Sequence, residues 1–174
     1  MNKRKRFTFG FSLFEFIITL SICAIVATLS IPSMTEISTT NRAKHALMYL
    51  DRLVSYARLK AVYSGERITL CPLVANCCAR NFWHQELTLF IDRGALKCFD
   101  NKDTILTVSH KIHVLDELTY QRSALTFIHT GTLWGLGNGT FTYCVKRKDG
   151  RKFGKALSVS TTGRTRLKDT SKCD

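Results

Sequence analysis

The feature that most constrains this chain is an apolar run close to its N-terminus. Residues 11–31 read FSLFEFIITLSICAIVATLSI, a run of 21 residues that carries a single charge. At the helical rise of about 1.5 Å per residue, a run of this length is sufficient to cross the hydrocarbon core of a bilayer. Residues 3–6 are all basic, and this placement of positive charge predicts that the N-terminus stays in the cytoplasm while the remainder is exported.

The position of the glycine before this run distinguishes it from an ordinary secretory signal. Such a signal is cleaved after its apolar core, at a site of small residues. Here the Gly10–Phe11 junction precedes the core, so cleavage there would keep the helix in the mature chain.

Glu15 is the single charged residue of the apolar run. A carboxylate in contact with lipid needs a partner or a function, unless it reaches out to the membrane edge.

The basic leader is followed by Gly10, by the apolar Phe11 and, at the fifth position counted from Phe11, by Glu15. This pattern resembles the class III signal of type IV pilins and pseudopilins. The resemblance implies that prepilin peptidase removes residues 1–10 and that the new amine of Phe11 is methylated. It implies that residues 11–31 form a membrane-spanning helix that later packs in a filament core, where Glu15 neutralises a terminal amine. A buried carboxylate is tolerated when it is paired with an ammonium group.

Beyond Pro32 the pattern becomes amphipathic. Apolar residues recur at three- and four-residue intervals, which predicts that residues 32–64 form the second half of one long helix. The helix is expected to run to about Tyr63 and to stop at Gly65, because glycine readily adopts the conformation that ends helices. The residues expected to face the core are Ala43, Ala46, Leu47, Leu50, Leu53, Val54, Ala57 and Ala61.

Residues 65–174 have the pattern of a β-rich head. Asn138-Gly139 and Asp149-Gly150 predict hairpins, since tight turns need positive φ angles. The predicted fold class is therefore α+β, with a long N-terminal helix packed on an antiparallel sheet. Short apolar and β-branched runs predict strands at residues 67–71, 86–91, 104–108, 125–128, 140–145 and 156–160.

Two stretches of the head narrow the resemblance. Residues 68–72 read ITLCP, and residues 141–167 read FTYCVKRKDGRKFGKALSVSTTGRTRL. Both are similar to the FimT/GspH group of minor pilins and pseudopilins, which implies the type IV pilin fold. Residues 163–166, Gly-Arg-Thr-Arg, are similar to the GRxR tail motif of FimT-type minor pilins and so imply a part in DNA uptake and natural transformation.

Positive charge is concentrated at the C-terminal end. The formal net charge is +13; without the four cations of residues 1–10, 22 basic residues face 13 acidic ones, which leaves +9. Residues 140–174 hold ten basic and three acidic residues. If the tail is extended, Arg164 and Arg166 share one face about 7 Å apart, where each can contact a phosphate. The residues expected to bind double-stranded DNA without sequence preference are Lys146, Arg147, Lys148, Arg151, Lys152, Lys155, Gly163, Arg164, Arg166 and Lys168.

Two other interpretations of this charge stay open. The basic residues form an ordinary solvated surface, or they contact acidic partner subunits or lipid headgroups. The chain would then be a structural minor pilin, or a GspH-like type II secretion pseudopilin, that primes or tips a filament without binding DNA. In every case the resemblance implies an inner-membrane subunit with a periplasmic head, which later joins other pilins in a filament.

Six cysteines follow the apolar segment, where an oxidising compartment favours disulfides. A zinc site built from the first four of them and His84 is disfavoured, because paired CxxC spacing is absent. Cys23, inside the apolar run, is expected to stay free. The expected pairs are Cys71 with Cys77 or Cys78, the remaining one of these two with Cys98, and Cys144 with Cys173.

The sequence contains no recognisable catalytic arrangement. Its histidines are scattered and match neither HExxH nor a defensible Ser/His/Asp order. The stretch Gly150–Ala156 has three residues between its glycines, whereas a phosphate-binding loop needs four and a Ser or Thr after its lysine. We therefore expect neither enzymatic activity nor a cofactor.

Overall fold

A computed structural model of the 174-residue chain describes residues 12–146, 150 and 152–173. For residues 29–37 it describes the backbone alone. The leader at residues 1–10 and the processing site predicted at Gly10 and Phe11 therefore lie outside the described residues.

The chain divides into two compact units, Met1–Ser38 and Thr39–Asp174. Helix α1 (Leu13–Ser64) contributes to both units, and Glu15 lies exposed in its first turn. Cys23 is a free cysteine, as expected. Within the residues that the structure describes in full, no helix is both long and apolar enough to cross a membrane.

The span predicted for residues 11–31 extends at both ends beyond the residues described in full, and it stays a prediction. Between Leu13 and Val26, the large apolar side chains are 43–78% exposed. A helix that is apolar on every side is usually buried by lipid or by other helices. This unit therefore presents an apolar surface that needs a partner.

The second unit combines the C-terminal part of α1 with nine strands among the described residues. The strands are β1 (Ile68–Val74), β2 (Cys77–Cys78), β3 (Leu87–Ile91), β4 (Thr104–Val108), β5 (Asp116–Thr119), β6 (Leu125–Phe127), β7 (Gly139–Lys146), β8 (Lys152–Val159) and β9 (Thr165–Thr170). In the first sheet β1 pairs with β3, which pairs with β4, while β2 and β6 share the other edge of β1. The second sheet has the order β5-β7-β8-β9. All described pairings are antiparallel, which confirms the predicted fold class.

One face of α1 forms a shared core with both sheets. All eight predicted core positions contribute to it, although Ala46 is only half-buried. They pack with Leu70 and Leu89 of the first sheet and with Phe141 and Leu157 of the second. Since this core and the three disulfides lie wholly within the second unit, that unit has what it needs to fold by itself.

The end of α1 and most strands agree with the sequence-based predictions. The helix ends at Ser64, and Gly65 has a φ of +73° and donates its N–H to the carbonyl of Ala61. The predicted strands correspond to β1, β3, β4, β6, β7 and the second half of β8.

The sequence did not predict β2, β5, β9 or the first half of β8. β9 has one large apolar residue, Leu167, and β8 begins with the poor strand formers Lys152, Gly154 and Lys155. β8 nevertheless pairs along its whole length with β7 and over six residues with β9. Ladder hydrogen bonds with neighbouring strands therefore outweigh weak local propensity.

An ion pair joins α1 to the second sheet. Arg42 donates from Nε and Nη2 to the two oxygens of Asp116 at 2.7 and 2.8 Å, and the Tyr143 hydroxyl donates to the same carboxylate at 2.8 Å. The Asp116 side chain is fully buried, whereas that of Arg42 is 32% exposed. Burial, followed by the hydrogen bond to Asp116, raises the pKa of the Tyr143 hydroxyl above its usual range, so this group remains a donor.

Three disulfides close loops in the second unit. The bonds Cys71–Cys78 and Cys77–Cys98 tie β1 and β2 to the segment before β4. Of the two partners left open for Cys71, the structure therefore selects Cys78. The bond Cys144–Cys173 joins β7 to the residues after β9, which is the pairing expected for the tail.

We predict that Asp116→Ala lowers the free energy of unfolding of the second unit by about 2 kcal/mol, because it leaves Arg42 and the Tyr143 hydroxyl without their buried acceptor. The loss is smaller than for a wholly buried pair because Arg42 is partly solvated. Urea unfolding of residues 39–174 measures it. The matched control is Glu117→Ala, at the exposed neighbour, which should change stability by less than about 0.5 kcal/mol. Equal effects of the two substitutions would show that the ion pair does not stabilise the head.

Candidate nucleic-acid interface

The outward face of the second sheet carries several of the predicted cations. Side chains alternate along a strand, and directly paired residues share a face. In β8, Leu157 and Val159 belong to the core, so residues of the opposite parity face outward. The register of the paired strands extends this assignment from β8 to the other strands of the sheet. It places five charged residues on the outward face: Glu117, Lys146, Lys152, Arg166 and Lys168.

The outward cations are spread along one side of this face. Arg166 pairs with Ser158, which lies six residues along β8 from Lys152, or about 20 Å at the rise of a strand. Lys168 lies between these ends, opposite Ala156. Glu117 belongs to β5, the edge strand farthest from β9. Three of the four outward cations that the structure describes therefore lie on β8 and β9.

A tight turn between β8 and β9 places Arg164. Ser160 donates its N–H to the carbonyl of Arg164 at 2.9 Å, and Arg164 donates its N–H to Ser160 Oγ at 3.1 Å. The expectation of an extended tail from Arg164 to Arg166 is therefore corrected. Arg164 closes the turn, and the extended strand β9 begins only at Thr165. The Arg164 side chain is exposed at the end of the sheet.

Arg164 and Arg166 nevertheless line the same groove. This groove has a volume of about 490 Å³ and opens at the end of β7, β8 and β9. Among the described residues, no ion pair involves either arginine. Other lining residues offer amide and hydroxyl groups that suit phosphate oxygens. They are Asn138, Thr140, Ser158 and Ser160.

Gly163 fixes the geometry of the turn through its backbone. It is buried and has a φ of +73°, a conformation that strains other residues. A Cβ at this position would lie 2.7 Å from Cε1 of Phe127 and 3.0 Å from the carbonyl oxygen of Gly131. Its place in the predicted motif therefore reflects close packing of the turn on the head.

Lys155 does not share the outward face. It pairs with Tyr143 in the ladder, so it lies on the same face as the core residues Tyr143 and Leu157. Its Nζ donates to Asp169 at 2.6 Å and lies 5.5 Å from the centre of the Phe153 ring. Lys155, which the sequence placed among the expected DNA-binding residues, therefore lies on the opposite face of the sheet from Arg166, because strand parity directs the two side chains apart.

Three of the predicted DNA-binding residues, Arg147, Lys148 and Arg151, lie outside the described residues. They belong to the connection between β7 and β8, next to the described pair Lys146 and Lys152.

Sequence reasoning missed a cation from α1 that lies beside the turn. The Cδ of Arg58 would be 3.0 Å from a Cβ at Gly163, and its Nε would be 3.3 Å from a Cβ at Gly131. Arg58 is exposed and packs against the turn that bears Arg164. The residues are more than 100 positions apart in the chain, so no local signal in the sequence connects them.

Metal chemistry has no support within the part of the chain that the structure describes. There, no group of three or more His, Cys, Asp or Glu side chains is arranged to hold a metal ion. The four cysteines of the disfavoured zinc site are joined in the bonds Cys71–Cys78 and Cys77–Cys98, so their sulfurs are not thiolates.

Comparisons with known proteins agree with this architecture. Residues 48–163 match the model of a family described as Type II transport protein GspH. Two crystal forms of the type IV minor pilin FimU from Pseudomonas aeruginosa strain PAO1 are similar in structure, at 24% identity. They have TM-scores of 0.58 and 0.55, and the alignments cover 79% and 75% of this chain and 96% of each FimU chain. The minor pseudopilin EpsH from the Type 2 Secretion System of Vibrio cholerae is 16% identical with a TM-score of 0.46, over 74% of this chain and 97% of EpsH. No curated protein matches the chain by sequence.

We predict that Gly163→Ala destabilises residues 39–174 by about 2 kcal/mol or more, because it adds steric overlap with Phe127 to the strain of a positive φ. The matched control is Gly65→Ala. Gly65 has the same φ of +73°, and a Cβ there would meet nothing within 4 Å. That control should cost about 1 kcal/mol. Urea unfolding compares the two variants, and equal losses would refute the packing role assigned to Gly163.

Proposed function

Since this chain belongs to the GspH family of type II transport proteins and has the fold of a type IV minor pilin, we propose that it is a minor pilin of a DNA-uptake pilus. We infer that the outward face near Arg164 and Arg166 binds double-stranded DNA and so supports natural transformation. FimU, the solved structure that it resembles, is a type IV minor pilin. Members of this class assemble with other pilins or pseudopilins.

The observation that carries the proposal is the groove shared by Arg164 and Arg166. Neither guanidinium has an ion-pair partner among the described residues, so both are available to a ligand. The groove lies at one end of the outward face, whose cations extend over about 20 Å, a length that spans roughly six base pairs of duplex DNA. Lys168 and Lys152 lie along this path.

The chemistry of this face favours phosphates over bases. It is a sheet surface with a shallow groove, and it presents point charges and hydroxyls rather than an element that enters the major groove. Binding through phosphates is independent of sequence and weakens steeply with salt. A single head is therefore a weak binder, and several pilin contacts on one duplex would raise the overall affinity.

The N-terminal part of the proposal concerns residues 1–64. Residues 1–10 form the leader that prepilin peptidase removes, and residues 11–31 anchor the subunit in the inner membrane, with the head in the periplasm, before it joins the filament. The exposed apolar side chains from Leu13 to Val26 support this proposal, because such a surface requires lipid or other helices around it. Glu15 pairs with the amine of a neighbouring subunit in the filament.

A second candidate function is a structural pilin or secretion pseudopilin that does not bind DNA. The observation that favours it is a stripe of aromatic residues along the exposed side of α1. Tyr49, Tyr56 and Tyr63 follow one another at seven-residue spacing, with Leu59 beside them, and they are 45–89% exposed. Residues at this spacing share one helix face, and aromatic residues are enriched in protein interfaces. This stripe suits contact with another subunit whether or not the head binds DNA.

The DNA proposal is tested by titrating a labelled duplex with residues 39–174 at several salt concentrations. We expect Arg164→Ala/Arg166→Ala to weaken binding roughly tenfold at low salt and to reduce the log–log salt slope by up to about 1.8. The matched control, Arg80→Ala/Arg122→Ala, removes the same charge from exposed positions outside the groove. If both double variants bind alike, net charge rather than the groove explains the affinity. If the wild type does not bind, the structural interpretation replaces the proposal.

The N-terminal proposal is tested by intact-mass analysis of the protein purified from cells with an active prepilin peptidase. We expect a mature chain that begins at a methylated Phe11. Glu15→Val should then reduce incorporation into filaments, because the buried amine loses its counter-ion, whereas the head control Glu86→Val should assemble normally. A mature chain that begins at another residue, or equal assembly of the two variants, would contradict the proposed roles of Gly10 and Glu15.

A further inference from the structure

A second site lies on the opposite side of the second sheet. There, α1 and the segment between β4 and β5 border an open cavity of about 360 Å³. Its lining is largely aliphatic and comes from the helix, β3, β5 and the connecting segment. The aliphatic side chains are Leu47, Leu50, Leu53, Leu87, Ile112 and Leu118.

The cavity is held open by the anchoring of the connecting segment. At one end, Ser109 donates its N–H to the carbonyl of Leu87 at 2.8 Å, and Leu87 donates its N–H to Ser109 Oγ at 2.9 Å. At the other end, Asp116 donates its N–H to the carbonyl of His113 at 2.8 Å and is fixed to Arg42. The small side chain of Ala46 leaves space beneath the segment. Collapse of the cavity would have to break these contacts.

The rim of the cavity is basic. Lys111 and three imidazoles surround the aliphatic lining, and among the described residues that line it none is acidic. The Asp116 carboxylate beneath Arg42 accepts hydrogen bonds from that arginine and from Tyr143, so its negative charge is already balanced by Arg42. The remaining polar groups are therefore the ammonium group of Lys111 and uncharged groups, most of which can donate a hydrogen bond. The imidazoles are those of His45, His110 and His113.

We propose that this cavity binds a single-chain anionic amphiphile, a free long-chain carboxylate, with its acyl chain against α1 and its headgroup at Lys111. An aliphatic cavity is poorly hydrated, so a chain that enters it displaces little bound water. The carboxylate then meets an ammonium group and imidazole N–H donors instead of a repelling acid. This site is independent of the proposed DNA interface, because the two lie on opposite faces of the second sheet.

The experiment is calorimetric titration of residues 39–174 with dodecanoate, below its micellar concentration, together with dodecyltrimethylammonium as the cationic control. We expect saturable 1:1 binding of dodecanoate, with affinity falling roughly tenfold for each two carbons removed from the chain. Lys111→Gln should weaken binding by about three- to tenfold. In NMR spectra of the wild type, the backbone amide chemical shifts that change on addition of dodecanoate should belong to residues 42–53 and 109–113. Absent binding, equal binding of the cationic amphiphile, or shifts elsewhere in the head would overturn the proposal.

Two filling variants, Ala46→Phe and Ile112→Phe, test whether the ligand occupies the cavity. Each should abolish dodecanoate binding while near-ultraviolet circular dichroism shows a folded head. Ala46 is half-buried and Ile112 lies in the covering segment, so the two substitutions enter the cavity from opposite walls. Unchanged affinity in a folded filling variant would place the ligand elsewhere and overturn the proposal.

Discussion

The head depends on the burial of one stripe of α1 beneath two separate sheets. Ala43, Ala57 and Ala61 allow the helix backbone to approach closely, while Leu47 and Val54 fill the space between the sheets. Removal of this apolar surface from water is the main favourable term in folding, and it is also what joins two sheets that share no strand among those described. Burial alone is not directional. The bidentate contact of Arg42 with Asp116 adds the direction, because it fixes which side of the helix meets the second sheet.

The chemistry of the surface follows from this interior packing. Because Leu157 faces the core, Ser158 must face outward, and the register then brings Arg166 beside it. A slip of one residue between β8 and β9 would turn Arg166 and Lys168 inward, where an unpaired charge is costly. The turn is fixed in a similar way, since Gly163 packs against Phe127 of the first sheet. The position of the two arginines is thus set by the core.

The sequence predicted what depends on local pattern. The amphipathic period of α1, its end at Gly65 and the alternating apolar strands are each encoded within a few residues, and the structure agrees with them. β9 and the first half of β8 could not be predicted, because their neighbours supply their stability. The residues of the candidate site could be predicted from the sequence only in part, for a related reason. Strand parity moves Lys155 to the other face, and packing brings Arg58 to Gly163 across most of the chain.

The second sheet therefore has two chemically different faces, and the two proposed ligands differ accordingly. Its outward face is polar and cationic around Arg166, which suits a polyanion too large to enter the protein. Its inward face contributes Leu118 and Tyr143 to an open, largely aliphatic cavity, which has room for an apolar chain. A duplex and an acyl chain can occupy these faces together without steric conflict, since the sheet lies between them. Two paths connect the faces: the β5–β7 ladder, where Asp116 is bound to α1, and α1 itself, whose Arg58 packs against the turn at Gly163. The Arg42–Asp116 ion pair stabilises the ladder from its inward face.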